Sequence, residues 1–310
     1  MSATPTPGGI GRIGKHPVAR VGYGAMGIEH VATADDATTL LRRAVELGIN
    51  HIDTASFYGG GEVNRRIRRA LAPYPDDLLI VSKVGARHVS GGQIPLALAQ
   101  KPAELRAAVE LDLAELGTDR IAVVNLRRAD IGPGLVAEGD QIVDLDDQLA
   151  EMIALRDEGK IGAIGISNVS LETVQRAAPA EIVCVQNAYS LLNRGHEDSL
   201  EFCASHDIAW VPYFPLGSSF PGFPKVAGNA VVIRVAEEMG ATPAQVGLAW
   251  LLAHSPTTLL IPGTGSVGHL EENAAAGSIT LSDSVIAELD DVPSETLAHG
   301  DGVEAFLDEG

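Results

Sequence analysis

Eight short runs of apolar, largely β-branched residues recur along the chain, at 18–22, 50–54, 78–82, 120–126, 161–167, 181–186, 208–213 and 258–262. They are rich in Ile and Val and lack a polar face, as expected of parallel strands buried on both sides. Helix-like stretches lie between them. The stretch 35–47 opens with Asp35-Asp36 and stops at Gly48, and 101–116 carries Pro102 at its start and stops at Gly117. Likewise 144–158 stops at Gly159, and 170–178 begins Ser170-Leu171-Glu172. These are N-caps and glycine stops where helices need them. Strand–helix units repeated eight times in 310 residues are the arithmetic of an α/β (β/α)8 TIM barrel. Two further helices, 229–238 and 243–253, interrupt the alternation after the seventh strand, the second with Thr242 as N-cap and Pro243 in its first turn. Another, 282–289, follows the eighth. No linker or composition shift divides the chain, so 1–310 reads as one barrel domain, with 1–10 flexible and 291–310 a C-terminal tail whose Phe306 covers part of the surface.

With 45% hydrophobic and 20% charged residues, the chain can bury a large core, and disorder is excluded. A formal charge of −19 repels phosphate backbones, so no nucleic-acid partner is expected. No window offers the ~18 apolar residues of a membrane span, and the start lacks a signal-peptide pattern. The expected location is the cytoplasm, as a monomer or weak homo-oligomer. Cys184 and Cys203 are too few for a disulfide framework or a Cys-rich zinc site, and Cys184 reads as an inert core residue. The histidines show no metal spacing.

The pattern GxGxxG occurs twice, at 22–27 and 263–268. A dinucleotide-binding reading requires the glycines to open a helix within a βαβ unit. In the first copy 28–34 intervene; the second lies too near the C-terminus, before a helix that reads as two turns. As the loop after strand 8, the second copy can instead cradle a phosphate on backbone N–H groups, or be an ordinary tight turn. Asp53 closes strand 2, Tyr58 stands on the glycine-rich loop beyond it, and Lys83 ends strand 3. At a barrel mouth these would converge, Asp53 holding the ammonium and Lys83 lowering the pKa of the Tyr58 hydroxyl; a structural Asp–Lys pair is the equal alternative. The segment 264–268 misses the GxSxG nucleophile elbow, and Arg65-Arg66-Ile67-Arg68-Arg69 reads as a solvated helix face. Long segments at 84–100, 127–143 and 214–228 follow strands 3, 4 and 7 and supply pocket walls. Phe57, Phe220 and Phe223 suggest an aromatic or apolar substrate, or simple loop packing.

Asp53-Thr54-Ala55, Tyr58-Gly59, Glu62, Lys83, Gly165-Ile166-Ser167-Asn168, Gln186, Tyr213-Phe214-Pro215-Leu216-Gly217 and Ile261-Pro262-Gly263-Thr264 run in this order. Together they resemble the aldo-keto reductase superfamily, over about 18–289. Val124-Asn125-Leu126-Arg127 and 181–187 are most similar to a bacterial subgroup associated with pyridoxal reduction. The resemblance implies hydride transfer from NADPH, with NADH not excluded, to a small-molecule carbonyl, preferably an aldehyde. It implies Tyr58 as general acid, supported by Lys83 and Asp53. Ser167, Asn168 and Gln186 match positions that bind the nicotinamide carboxamide, and Tyr213 matches the aromatic that stacks on its ring. Gly24, Ala25 and Met26 match cofactor-side positions at the end of strand 1. Phe214, Leu216 and Gly217 match the loop beside the pyrophosphate, and Thr264, Ser266, Glu272 and Asn273 the adenosine end. Two departures stand out. Leu126-Arg127-Arg128-Ala129-Asp130 replaces Leu-His-Arg-Pro-Asp, so Arg127 occupies the catalytic histidine position. Gly263 and His269 stand where many members place Lys and Arg around the 2′-phosphate. The missing histidine leaves a second reading, a cofactor-binding sensor or regulatory subunit without catalysis.

Overall fold

The computed structural model describes residues 6–90, 95–131, 135–218 and 224–294. An antiparallel hairpin, β1 (Ile10–Ile13) and β2 (His16–Ala19), comes first. The chain then forms β3 (Tyr23–Gly24), β4 (His51–Asp53) and β5 (Leu79–Val84). A second hairpin, β6 (Ala86–His88) and β7 (Leu96–Leu98), occupies the segment after β5. Four more parallel strands follow: β8 (Ile121–Arg127), β9 (Ile161–Ser167), β10 (Cys184–Gln186) and β11 (Ala209–Trp210). The parallel sheet has the order β11–β10–β9–β8–β5–β4–β3.

Segment 258–263 closes the ring between the two sheet edges. It bridges Trp210 through Thr258, Val21 through Leu260, and Gly24 through Gly263, all parallel. Gly22 N–H donates to the Leu260 carbonyl and Leu260 N–H to the Arg20 carbonyl, each at 2.8 Å. The expected (β/α)8 barrel is therefore what forms. At this seam a Cβ on Gly24 would lie 2.4 Å from the Ile261 carbonyl oxygen, so only glycine lets the strands meet. Gly27 likewise approaches Thr264. The two GxGxxG stretches thus pack against each other along the closure.

The first expected strand, 18–22, divides between two tasks. Val18 and Ala19 belong to β2, while the barrel is built from Val21 onward. Arg20 marks the change: its guanidinium donates to the carbonyls of Leu252 (2.8 Å), Ser255 (2.7 Å) and Thr258 (3.2 Å), pinning the chain to the closing segment. Val21 N–H donates to the Pro7 carbonyl at 3.0 Å, which ties the described N-terminus to the same edge.

Ten helices surround the strands among the described residues: α1 (Ala34–Glu46), α2 (Glu62–Leu71), α3 (Pro102–Leu116), α4 (Leu145–Asp157), α5 (Leu171–Ala177), α6 (Glu197–Ser205), α7 (Ala230–Met239), α8 (Pro243–His254), α9 (Val267–Ala276) and α10 (Asp283–Asp290). The caps legible in the sequence are used. Asp144, Ser170 and Thr242 each accept a backbone N–H of the first turn, and α3 ends at left-handed Gly117. Helix α9 has ten residues rather than two turns, because Ser266 caps it and Leu270 and Ala276 are buried. Helix α6 had no distinct sequence signal. The arginine run on α2 is only partly solvated, since Arg66 donates to the carbonyls of Ile28 and Val31 at 2.8 Å each. Phe220, Phe223 and Phe306 lie outside the described residues. The described start of the tail is held by Arg194, whose Nη1 donates to the Asp290 carbonyl and whose N–H donates to Ser294 Oγ, both at 2.9 Å.

Hairpin residues Ile13 and Val18 plug the N-terminal end of the barrel, packing with Leu79, Val81, Val123, Val211 and Ile261. His51 is fully buried, and burial pushes its imidazole down to about 4, against a weaker pull from the Leu260 carbonyl. The folded chain keeps His51 neutral where the unfolded chain takes up a proton. Stability present above pH ~6.5 is therefore lost as the pH falls towards ~4, by about 3 kcal/mol in all. Urea unfolding across this window should show a shallower pH slope in His51→Gln than in wild type. An unchanged slope would mean that His51 does not hold the shifted imidazole.

Candidate active site

Side chains alternate along each strand, so the layer at the C-terminal mouth is set by the layer beneath it. Val81, Cys184, Val211 and Ile261 fill the interior; two residues further along stand Lys83, Gln186, Tyr213 and Gly263. Asp53 follows His51 in the same way, Ser167 follows Gly165 and Arg127 follows Asn125. Arg127, Ser167 and Gln186 pair in register across β8, β9 and β10. Cys184 is buried, its thiol pushed up by burial and donating to Asn125 Oδ1 at 3.2 Å, as an inert core residue should.

Lys83 is the centre of the layer. Its Nζ donates to Asp53 Oδ1 and, at 3.1 Å, to the Thr54 carbonyl. The other Asp53 oxygen accepts from Gln186 Nε2 at 2.8 Å. Burial opposes the ammonium, but Asp53 and Tyr58 outweigh it and raise its pKa, so Lys83 is charged at neutral pH. Nζ lies 5.0 Å from the centre of the Tyr58 ring. Tyr58 opens a tight turn through Gly59, Gly60 and Gly61, with φ of 57°, 58° and 85°, a conformation that demands glycine at successive positions. Phe57 meets Tyr58 edge-on at 5.1 Å and is buried with Ala55 and Ala86. This packing is what the loop-packing alternative for Phe57 expects.

Asn168 and Tyr213 form a second group. Asn168 Nδ2 donates to the carbonyls of Arg128 (3.1 Å) and Ile131 (2.8 Å), and its Oδ1 accepts from the Tyr213 hydroxyl at 2.9 Å. Burial pushes the Tyr213 phenol up to about 12, although the Arg127 guanidinium favours the phenolate. Asn168 and Phe214 have φ of 59° and 57°. Asn tolerates this region; Phe does so at about 1–3 kcal/mol. Strain thus concentrates beside Leu216 and Gly217, the loop expected at the pyrophosphate. Arg127 does not pair with Asp130. Arg128 does, with Nη2 to Oδ1 at 2.9 Å, and Arg127 Nη1 is buried without a partner among the described residues.

The residues present fit a nicotinamide cofactor. Gln186 Oε1 is a buried acceptor with no partner among the described residues, the group that a carboxamide N–H requires. With both Asn168 amide hydrogens engaged, only Oδ1 of that residue remains to accept. Away from the mouth, Thr264 Oγ1 accepts from Ser266 N–H (3.0 Å) and Ser266 Oγ from His269 N–H (3.4 Å), leaving both hydroxyl protons to donate. Tyr23 donates to the Thr264 carbonyl at 2.6 Å and fixes this loop beside Gly24, Ala25 and Met26. Glu271 turns to Arg43, 2.7 Å away. Glu272 is exposed and Asn273 buried in the second turn of α9.

The model of the Aldo/keto reductase family matches residues 20–293. The chain belongs to this family. It is an NADP-dependent oxidoreductase that interconverts carbonyls and alcohols. Pyridoxine 4-dehydrogenase of Escherichia coli (strain K12) is 42% identical to this reductase over 295 residues, spanning 91% of this chain and 98% of that protein. An uncharacterized oxidoreductase of Schizosaccharomyces pombe is 34% identical, over 91% of this chain and 89% of the other. A solved aldo-keto reductase from Klebsiella pneumoniae, in complex with NADPH, has a TM-score of 0.76 and 30% identity, covering 93% of this chain and 96% of that one.

Several supporting residues of the reductase escaped the sequence reading. Gln100 Nε2 donates to the carbonyls of Gly85 (2.6 Å) and Arg127 (2.9 Å), and Gln148 Nε2 donates to the Gln100 carbonyl at 2.7 Å. This buried pair ties the ends of β5 and β8 together. Its signal was faint, a glutamine on the inner face of α4 between Leu145 and Met152. The Lys83–Asp53 pair makes a sharper test. Removing one partner leaves a buried charge alone, so Asp53→Leu should lower unfolding free energy by about 3–5 kcal/mol. Asp53→Leu with Lys83→Met should recover most of it in urea titrations. Equal losses in the single and double variants would contradict a paired buried charge.

Proposed function

We propose that the reductase transfers hydride from NADPH to an aldehyde, with pyridoxal as substrate, and that Tyr58 protonates the oxygen. In this reading it acts in the cytoplasm as a one-domain monomer or weak homo-oligomer over 1–310. The carrying observation is one buried ammonium, Lys83, hydrogen-bonded to Asp53 and placed beside the Tyr58 ring. Among the described residues no helix is long and apolar enough to cross a membrane.

Bound NADPH supplies the hydride that reaches the carbonyl carbon. The chain does the remaining work. Tyr58 points its hydroxyl proton at the carbonyl oxygen and releases it as that oxygen gains charge. Lys83 stabilises the phenolate left behind, and Asp53 keeps the ammonium charged and oriented. Solvent returns the proton to Tyr58, so the balance is aldehyde, NADPH and one proton to alcohol and NADP+. Arg127 cannot act as an acid, because a guanidinium holds its proton at working pH. Its unpartnered Nη1 instead suits hydrogen bonding to the forming alkoxide. Gln186 orients the carboxamide through Oε1, Ser167 lines the same row, and Tyr213 offers its ring face to the nicotinamide. The hydroxyls of Thr264 and Ser266, the first N–H groups of α9 and His269 hold the 2′-phosphate. With Glu271 neutralised by Arg43, one carboxylate that would repel phosphate is removed.

Tyr58→Phe should lower kcat by about 10²–10⁴ with NADPH affinity unchanged, as measured by single-wavelength turnover and fluorescence titration. Wild-type turnover in that variant would reject Tyr58 as the acid. Arg127→Ala should lower kcat about tenfold or more with little change in cofactor affinity; a loss below about twofold would make the residue structural. In an absorbance assay, kcat/KM should favour NADPH over NADH and pyridoxal over benzaldehyde. Equality in the first comparison would count against the 2′-phosphate site, and in the second against the substrate.

A further inference from the structure

Behind Tyr58 and Lys83 lies a buried polar chain that the proposed reaction does not itself use. Thr54 Oγ1 donates to Asn64 Oδ1, Asn64 Nδ2 donates to Asp112 Oδ1, and Ser82 Oγ donates to Asp112 Oδ2, each at 2.7 Å. All four side chains are buried. Each attached segment carries one member of the site: Thr54 adjoins Asp53, Ser82 adjoins Lys83, and Asn64 lies in the first turn of α2, directly after the Tyr58 turn. Helix α3 reaches the same turn a second time. Glu115 accepts from Asn64 Nδ2 at 3.4 Å and from Arg65 Nη1 at 3.0 Å. It lies so close to Gly61 that a Cβ there would be 1.7 Å from Oε1.

Asp112 stands on the inner face of α3 among Leu105, Val109 and Leu116, where packing alone calls for an apolar residue. Keeping a carboxylate there is costly. Burial pushes its pKa up to about 7, Ser82 and Asn64 oppose, Glu115 adds to the rise and Lys83 opposes it. Both oxygens are nevertheless occupied by donors from two different elements, so the network is satisfied and rigid.

We propose that Asp112 is a positioning residue for carbonyl reduction: by gripping Asn64 and Ser82 together, it sets the Tyr58 turn against the Lys83 ammonium. This rests on Tyr58 being the proton donor. Misplacement by about 1 Å costs ~10²-fold in rate, so loosening the grip shows in kcat before it shows in binding.

The test uses the full chain with NADPH and the better of pyridoxal and benzaldehyde as probe. Asp112→Leu should lower kcat by ~10²-fold while aldehyde KM and NADPH affinity stay within about twofold. Asp112→Asn can still accept from Asn64 and can donate its own N–H to Ser82 Oγ, so it should keep kcat within about threefold of wild type. Should Asp112→Leu fail to fold, Ser82→Ala reads the same link and should lower kcat about tenfold at unchanged KM. The proposal is overturned if folded Asp112→Leu, or in its place Ser82→Ala, turns over within about twofold of wild type. It is also overturned if cofactor affinity falls in parallel with kcat, or if the Asn variant is as slow as the Leu variant. Tyr58→Phe, run alongside, separates the two claims. Full turnover there removes the proton donor and this proposal with it, whereas a dead Tyr58→Phe beside an unaffected Asp112→Leu removes the positioning role alone.

Discussion

A charged lysine inside a barrel is tolerable only if something replaces the water it has lost, and in this reductase Asp53 does so. Each buried ion carries an effective desolvation cost of several kcal/mol. The pair offsets it with a direct hydrogen bond, with the Thr54 carbonyl on the ammonium and with Gln186 on the second carboxylate oxygen. Tyr58 and Gln186 are arranged around this pair. Tyr58 is held over the ammonium by a turn of three glycines, and Gln186, fixed by Asp53, has one free acceptor to offer. The charge that makes the site chemically useful is also the interaction that orders it.

Gln186 can complete the pair only because the ring is closed. Asp53, Lys83 and Gln186 come from β4, β5 and β10, and no two of those strands except β4 and β5 are neighbours. Closure through 258–263 bends the sheet until side chains from opposite walls share one layer. That closure depends on backbones meeting where a single Cβ would prevent it, at Gly24 against Ile261. The hairpin plug at the other end fills the interior with Ile13 and Val18, leaving the C-terminal mouth as the face where polar groups collect.

Much of this was legible in the residues. Strand spacing, caps such as Thr242 and the Gly117 stop gave the barrel and most helices to within a residue or two. Asp53, Tyr58 and Lys83 were readable because each sits at or just past a strand end, where barrels place their chemistry. Other features depended on information that local pattern does not carry. The run 18–22 is apolar on both sides of Arg20, and local pattern does not reveal that this arginine divides it between plug and wall. The second GxGxxG reads as a phosphate loop or a tight turn, and nothing local shows that Gly24 and Gly27 of the first copy also pack against it across some 240 positions. Asn168 illustrates the same limit at the site: its identity suggests a cofactor ligand, and only the fold shows that its amide hydrogens go to the Arg128 and Ile131 carbonyls, leaving Oδ1 to accept. Asp112 did leave a trace, a carboxylate interrupting the apolar stripe at 105, 109 and 116, yet its partners could be named only from the fold.

The central claim is that this mouth moves a hydride to a carbonyl and does not merely bind a nicotinamide. Its most direct test is isotopic. The reductase is given NADPH carrying deuterium at the ring position that donates hydride, together with pyridoxal, and the alcohol product is examined by mass spectrometry. The account predicts one deuterium on the former aldehyde carbon, formed in step with cofactor oxidation. Tight NADPH binding with no label transferred to pyridoxal or benzaldehyde would contradict it and leave a binding protein in its place.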